Sequence, residues 1–279
     1  MRDQITPLLI TYNEAPNICR TLAKLLWARR IVVVDSGSTD GTVEMLRGYP
    51  QVEVFSHPFV DFAGQCNYGL RQIVSPWVLS LDADYELSDQ LVSELACLTP
   101  PDRVVGYRAR FVYRIYGRPL RGSLYPPRAV LYRKDRAFYR AEGHAHRVVL
   151  DGEVSQLNGA IYHDDRKPLA RWFTAQQRYA RTEAEYLLEA PPGALRRSDK
   201  IRLMAWLAPF AVLFYALIVK RCALDGWPGW RYALQQTTAE MLVALEILDR
   251  RSGRRPAAER LNPAGRQRCA ARNGRPSGS

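Results

Sequence analysis

Apolar residues gather in short runs that end on polar, turn-forming crests. Pro7-Leu8-Leu9-Ile10 runs into Thr11-Tyr12-Asn13-Glu14, and a helical pattern follows through Ala23-Lys24-Leu25-Leu26. Ile31-Val32-Val33-Val34 ends on Asp35, then Ser36-Gly37-Ser38-Thr39-Asp40-Gly41-Thr42, a stretch dense in turn formers and helix caps. Val43-Glu44-Met45-Leu46 opens the next helical pattern, and Trp77-Val78-Leu79-Ser80-Leu81 ends on Asp82-Ala83-Asp84. Strand, polar crest and helix, repeated at short spacing, predict an α/β domain around a mostly parallel sheet. Ligands of such sheets sit outside the carboxyl ends of the strands, where Asp35, Asp82 and Asp84 all fall.

Asp82 and Asp84, at i and i+2, leave a strand edge on the same side, and their charges repel. A divalent cation, Mg²⁺ or Mn²⁺, offsets that repulsion, because both prefer oxygen ligands and carry phosphates. The bland alternative is a solvated turn after a strand.

The pattern changes in the last third. Leu203 to Val219 is seventeen residues without a formal charge. Spanning a bilayer takes ~20 residues, with ~17 as the short limit. Pro209 interrupts the run, and basic residues flank it on both sides: Arg196, Arg197, Lys200 and Arg202 before, Lys220 and Arg221 after. Symmetric charge argues against a clean crossing and for an interfacial or re-entrant helix, with Trp206, Trp227 and Trp230 as interface anchors. A Gly-Pro turn at Ala223–Trp230 and a second helix from about Arg231 to Leu248 complete an expected apolar helical hairpin. A buried helix pair of a soluble domain, or a dimer contact, is the alternative. The chain thus divides into a domain at 1–195, a membrane-associated hairpin at 196–250 and a tail at 251–279.

Composition narrows this further. The five cysteines are scattered, with no CxxC, which predicts a reducing compartment and neither structural zinc nor a disulfide framework. No basic-then-apolar leader precedes the first strand, so no secretory signal is expected. The net charge of +12 is uneven: residues 250–279 carry nine arginines against the single acid Glu259. Such a tail is expected to be disordered and suits an anionic surface. No zinc-finger spacing or aromatic RNA-binding signature accompanies it, so nucleic acid is not an expected partner.

Four segments together carry a family likeness: Thr11-Tyr12-Asn13-Glu14, Val33 to Thr42, Phe62-Ala63-Gly64-Gln65-Cys66-Asn67-Tyr68-Gly69, and Leu81-Asp82-Ala83-Asp84. With the Leu224-Asp225-Gly226-Trp227-Pro228-Gly229 turn, residues 5 to 248 resemble the inverting family-2 nucleotide-sugar glycosyltransferases of GT-A fold, nearest the lipopolysaccharide-core β-1,4-glucosyltransferase branch. The resemblance implies metal-dependent, inverting transfer of a hexose from a nucleotide-sugar donor, UDP favoured, to a membrane-borne glycan. Lipopolysaccharide core or a polyprenyl-phosphate-linked saccharide would be such an acceptor. It also implies a peripheral or monotopic enzyme on the cytoplasmic face of the inner membrane. By the same likeness Thr11 and Glu14 line base and ribose, and Asp35 holds the uracil or ribose side. Asp40 orders its loop, and Asn67 stands near ribose and diphosphate. Asp82 lies near ribose or metal-bound water, Asp84 binds the metal, and His163 reaches metal or diphosphate. Ser36 stands where many members have a second Asp. Arg166 and Lys167 are placed to touch the diphosphate.

Inversion needs a base for the acceptor hydroxyl. Ala141-Glu142-Gly143-His144-Ala145-His146-Arg147 is the densest chemistry on the acceptor side. Glu142 is the first candidate. His144 and His146 are alternatives, or orient a carboxylate or phosphate, or belong to a metal site. Related chains often carry His-Glu where this one has His146-Arg147, so this chain departs from the pattern there. Arg147 could pair with an anionic acceptor. The arginine- and tyrosine-rich stretch from Tyr107 to Tyr139 reads either as an amphipathic strand pair or as a basic cleft with sugar-stacking rings. Two other functions stand beside the lead. A sugar nucleotidyltransferase would want a glycine-rich basic loop on the first strand, which Thr11-Tyr12-Asn13-Glu14 is not. A membrane adaptor that kept the fold would have no need of Asp82 and Asp84.

Overall fold

The computed structural model describes residues 1–142, 145–191 and 193–253, with the side chains of 141–147 outside that description. Its first half follows the crests. The strands β1 (Ile5–Thr11), β2 (Ile31–Asp35), β3 (Val52–Ser56) and β4 (Trp77–Asp82) alternate with the helices α1 (Ile18–Ala23), α2 (Thr42–Arg47) and α3 (Phe62–Gln72). They pair in parallel in the order β3-β2-β1-β4. Thr11 stands beside Asp35, and Ile10 beside Asp82, so the crests share one edge. Every residue of β2 is buried, as expected of a parallel strand covered on both faces.

The sheet then changes character. Next come β5 (Tyr85–Leu87), α4 (Asp89–Cys97), β6 (Val104–Ile115), β7 (Arg118–Pro119) and β8 (Arg128–Arg133), followed by β9 (Ala137–Glu142), β10 (Ala145–Leu150) and β11 (Glu153–His163). The order continues β4-β8-β6-β11-β5, with β8 antiparallel to both neighbours, β11 parallel to β6, and β5 antiparallel to β11. β9 and β10 form a separate hairpin. The result is an α/β, GT-A-like fold with a mostly parallel central sheet. Alternate residues of each strand fill opposite cores: Leu9, Val33 and Leu79 on one face, Leu8, Val32, Val34 and Val78 on the other.

α4 lies so close to β11 that a Cβ at Gly159 would come within 2.4 Å of the Leu91 Cα. Gly159→Ala is therefore expected to lower stability by about 1–3 kcal/mol, read as a lower denaturant midpoint at unchanged slope.

The expected apolar hairpin is not what the chain forms. Residues 197–251 make α6 (Arg197–Leu203), α7 (Ala208–Phe214), a π-type turn at Tyr215–Val219, a 3₁₀ turn at Cys222–Asp225 and α8 (Trp227–Arg251). Among the described residues no helix is long and apolar enough to cross a membrane. The run breaks where Ala205 takes φ 54° and Pro209 starts a helix instead of continuing one. It breaks again at Arg221, φ 58°. α8 is long but two-sided. It buries Ala244 and Ile247 in a cluster with Ala184 and Leu187 of α5 (Leu169–Glu189). An Arg202 ion network with Glu183 and Glu240 ties α5, α6 and α8 together. The charges of that network and the polar positions of α8 turn the segment into a packed helical layer. The tail from 254 onward lies outside the described residues.

Candidate active site

The crests are stitched to one another by their own polar groups. Asp35 is buried, and its carboxylate accepts from Thr11 Oγ1 at 2.9 Å, from the amides of Gly37 and Ser38 at 2.9 Å each, and from Ser38 Oγ at 2.5 Å. Ser38 Oγ in turn accepts from the Asn13 amide, and Asn13 Oδ1 accepts from the Thr39 amide. Asp40 accepts from Thr42 and from the Ala15 amide. Asp35 thus orders its loop as firmly as Asp40 does. It also lines a cavity of about 520 Å³ with Gly37, Ser38, Arg47 and Ser56.

A second cluster forms where β4 leaves the sheet. Asp84 Oδ2 meets His163 Nε2 at 3.2 Å across 79 residues. β11 carries His163 there, in register with Tyr85 of β5 and Tyr113 of β6. Tyr85, Tyr113 and Tyr125 enclose the imidazole, with ring centroids 5.2, 4.5 and 5.3 Å away. Burial alone would push the Asp84 carboxyl up, but the imidazole beside it holds it well below the usual carboxylate range. Burial works against the His163 cation, and Asp84 more than offsets it, so His163 is raised. Asp84 Oδ1 and His163 Nδ1 are both buried without a hydrogen-bond partner.

Glu14 and Lys167 stand beside this pair. Lys167 Nζ donates to Glu14 Oε1 at 2.6 Å and lies 3.6 Å from Asp165. Asn17 Nδ2 donates to Glu14 Oε2 at 2.9 Å. Burial pushes Glu14 up to about 7 against the pull of Lys167. Asp84, Glu14 and Asp165 together raise Lys167 despite its burial.

The other expected residues are placed differently. The Arg166 guanidinium turns onto Asp164 Oδ2 at 2.8 Å, so of the two adjacent cations it is Lys167 that enters the cluster. Both ends of the Asn67 amide hold the Tyr139 backbone, each at 2.9 Å, which fixes β9 on α3 rather than reaching toward Asp84. Asp82 is half-buried and exerts its charge on Tyr85, Tyr125 and Arg128. Among the described residues no group of three or more His, Cys, Asp or Glu converges as a metal site, so Asp82 does not complete a trio with Asp84 and His163. His144 lies outside the described residues, as do the side chains of Glu142 and His146. The described backbone pairs Ala145 with Glu142, and His146 with Ala141, at the end of the β9–β10 hairpin.

Asn17 and the tyrosine enclosure extend the site beyond the expected set. The density of tyrosine between 107 and 139 was the one signal in the sequence for the enclosure. α5 closes over the crest: Arg171 donates to the carbonyls of Tyr12 and Asn13, and Tyr179 packs on Phe62 at 6.2 Å.

Residues 8–145 match the model of glycosyl transferase family 2. They are a family-2 glycosyltransferase domain. The protein is accordingly a glycosyltransferase. It is similar to the lipopolysaccharide core biosynthesis glycosyltransferase LpsC of Rhizobium meliloti, 27% identical over 80% of this chain and 85% of that protein. It is also similar to the uncharacterized glycosyltransferase RP128 of Rickettsia prowazekii, 26% identical over 88% and 87%. The structure of S. aureus TarS in complex with UDP-GlcNAc is similar at 16% identity and TM-score 0.46, covering 89% of this chain and 92% of that one. That likeness is too loose to carry ligand positions across.

Proposed function

We propose that this glycosyltransferase moves a hexose from a UDP-sugar, with inversion and with Mg²⁺ or Mn²⁺, to a membrane-borne glycan of the lipopolysaccharide-core class or a polyprenyl-phosphate-linked saccharide. The protein would work peripherally at the cytoplasmic face of the inner membrane. One observation carries the metal: Asp84 Oδ1 is buried without a hydrogen-bond partner, on the carboxylate whose other oxygen His163 engages. A carboxylate oxygen suits a divalent ion of this kind. One or two carboxylates suffice when substrate phosphates and waters complete the shell, as is common for Mg²⁺. When bound, the ion would neutralise charge gathering on the departing nucleoside diphosphate.

The chain's own groups divide the remaining work. Asp84 and His163 hold each other in place against the tyrosines, so little reorganisation accompanies reaction. Lys167 brings a fixed positive charge beside the same pair. Asp35 and Thr11, at neighbouring strand ends, keep the crest loop open to base and ribose. The β9–β10 hairpin, anchored through Asn67, carries the base candidates Glu142, His144 and His146, with Glu142 the first of them. The resemblance to LpsC supports the acceptor class.

Release of UDP from UDP-hexoses, compared with GDP- and dTDP-sugars, tests this reading in buffers with Mn²⁺, Mg²⁺ or EDTA. Turnover is expected with a UDP-sugar, falling by about 10²-fold or more in EDTA and returning with added metal. Full activity in EDTA would remove the cation from the reaction.

A further inference from the structure

The helical layer turns an unusual face to water. Among the described residues from 201 to 248, Arg221 is the sole charged residue among the exposed ones; the others are apolar side chains, Tyr215 and Gly226. On α8, Trp227, Trp230, Leu234, Met241, Leu245 and Leu248 recur every three to seven residues, which puts them on one stripe opposite the buried Tyr232, Val243 and Ile247. Phe210, Phe214 and Ile218 follow one another four residues apart, each about 60% exposed. α7 packs against α8, and Leu224, 61% exposed, lies in the turn that joins the two stripes. Isolated exposed apolar residues are ordinary, but a face built almost wholly of them is not.

Charge at the margin says what covers it. Lys220 lies over the Tyr215 ring, Arg118 over Trp227, and Arg231 over Tyr116. From 203 to 239 the one acid is Asp225, whose side chain is covered and paired with Arg121. Beyond α8 the sequence continues with seven more arginines between 254 and 279. Tryptophans and phenylalanines inside a basic margin match the headgroup level of an anionic bilayer. A second copy of the same face would set like charges against each other.

We propose that this folded face, formed by α7, the turn at Cys222–Asp225 and α8, docks on the surface of an anionic phospholipid bilayer without inserting a hairpin. It deepens, and rests on, the membrane-borne acceptor proposed above. The helix that carries this face packs, by its buried side, on the reaction centre. Tyr232 of α8 packs on Tyr113 at 4.7 Å, and Tyr113 packs on His163. Docking there brings the membrane up to the end of the cleft that a lipid-anchored acceptor must enter.

Flotation of the full chain with vesicles tests this directly. Binding is expected to phosphatidylcholine vesicles containing phosphatidylglycerol, weaker to pure phosphatidylcholine, and weaker in high salt. The double variant Phe210→Ser/Phe214→Ser is expected to bind anionic vesicles roughly tenfold or more weakly, with an unchanged melting temperature. A wild-type chain that stays unbound overturns the proposal. So does a double variant that floats undiminished, which would assign binding to the arginine-rich tail. So does a wild-type dimer that the double variant converts to monomer, which would make a second copy the occupant. UDP release, measured without lipid, separates the two readings. Intact turnover with lost docking in the wild type sinks the docking face alone, and intact docking without turnover sinks the donor chemistry alone.

Discussion

Asp84→Asn is expected to reduce transfer by about 10³-fold in kcat while leaving the melting temperature within a few degrees of the wild type. Asparagine keeps the shape of the side chain and one oxygen, so the pocket between β4, β5 and β11 stays filled. It loses the negative charge that His163 and Lys167 both face and that the proposed cation would need. The imidazole, 3.2 Å away, loses the carboxylate that orients it. Single-turnover UDP release against metal concentration, with a melting curve on the same sample, checks the prediction. Wild-type turnover in a folded variant would show that Asp84 has no part in the chemistry.

A second large effect is expected far from that pocket. Arg202 Nη1 donates to Glu183 at 2.5 Å, while its Nε and Nη2 donate to Glu240 at 2.9 and 2.7 Å. The three side chains are only 10–23% exposed and come from three different helices. Arg202→Ala leaves two carboxylates buried near each other without the shared cation. That is expected to cost about 3–5 kcal/mol. The triple change Arg202→Met/Glu183→Leu/Glu240→Leu is expected to recover most of the loss, because desolvation of the charges disappears along with their attraction. Denaturant midpoints of the three proteins decide it. A midpoint for Arg202→Ala equal to wild type would mean that the network contributes nothing to the layer. α5 reaches from this network to the crest, where Arg171 holds the Tyr12 and Asn13 carbonyls. Loosening it is therefore expected to weaken donor binding as well, read as a raised KM for the UDP-sugar.

The two effects separate what is local from what is distant. The crest at Asp35 could be read in advance because its partners Gly37 and Ser38 lie within three residues, and turn chemistry acts over that range. The neighbouring placement of Thr11 and Asp35 followed from parallel pairing of adjacent units. The choice between Arg166 and Lys167 could not be read so. Both are cations one residue apart, and Asp164 captures one because it is buried within reach of that guanidinium. Asn67, expected near ribose and diphosphate, clamps the Tyr139 backbone 72 residues away, a contact that no local pattern announces.

By itself, the sequence determined the strand–crest–helix order, the parallel half of the sheet and the strand ends at which Asp35, Asp82 and Asp84 stand. Periodicity and turn chemistry act between near neighbours, and that is enough to set them. Tertiary structure alone decided that Asp84 meets His163, that Lys167 joins Glu14, and that residues 203–219 break into short helices with an apolar outer face. An uncharged run reads the same whether it faces lipid, protein or water. Which of these it meets depends on the partners that distant segments bring to its other side.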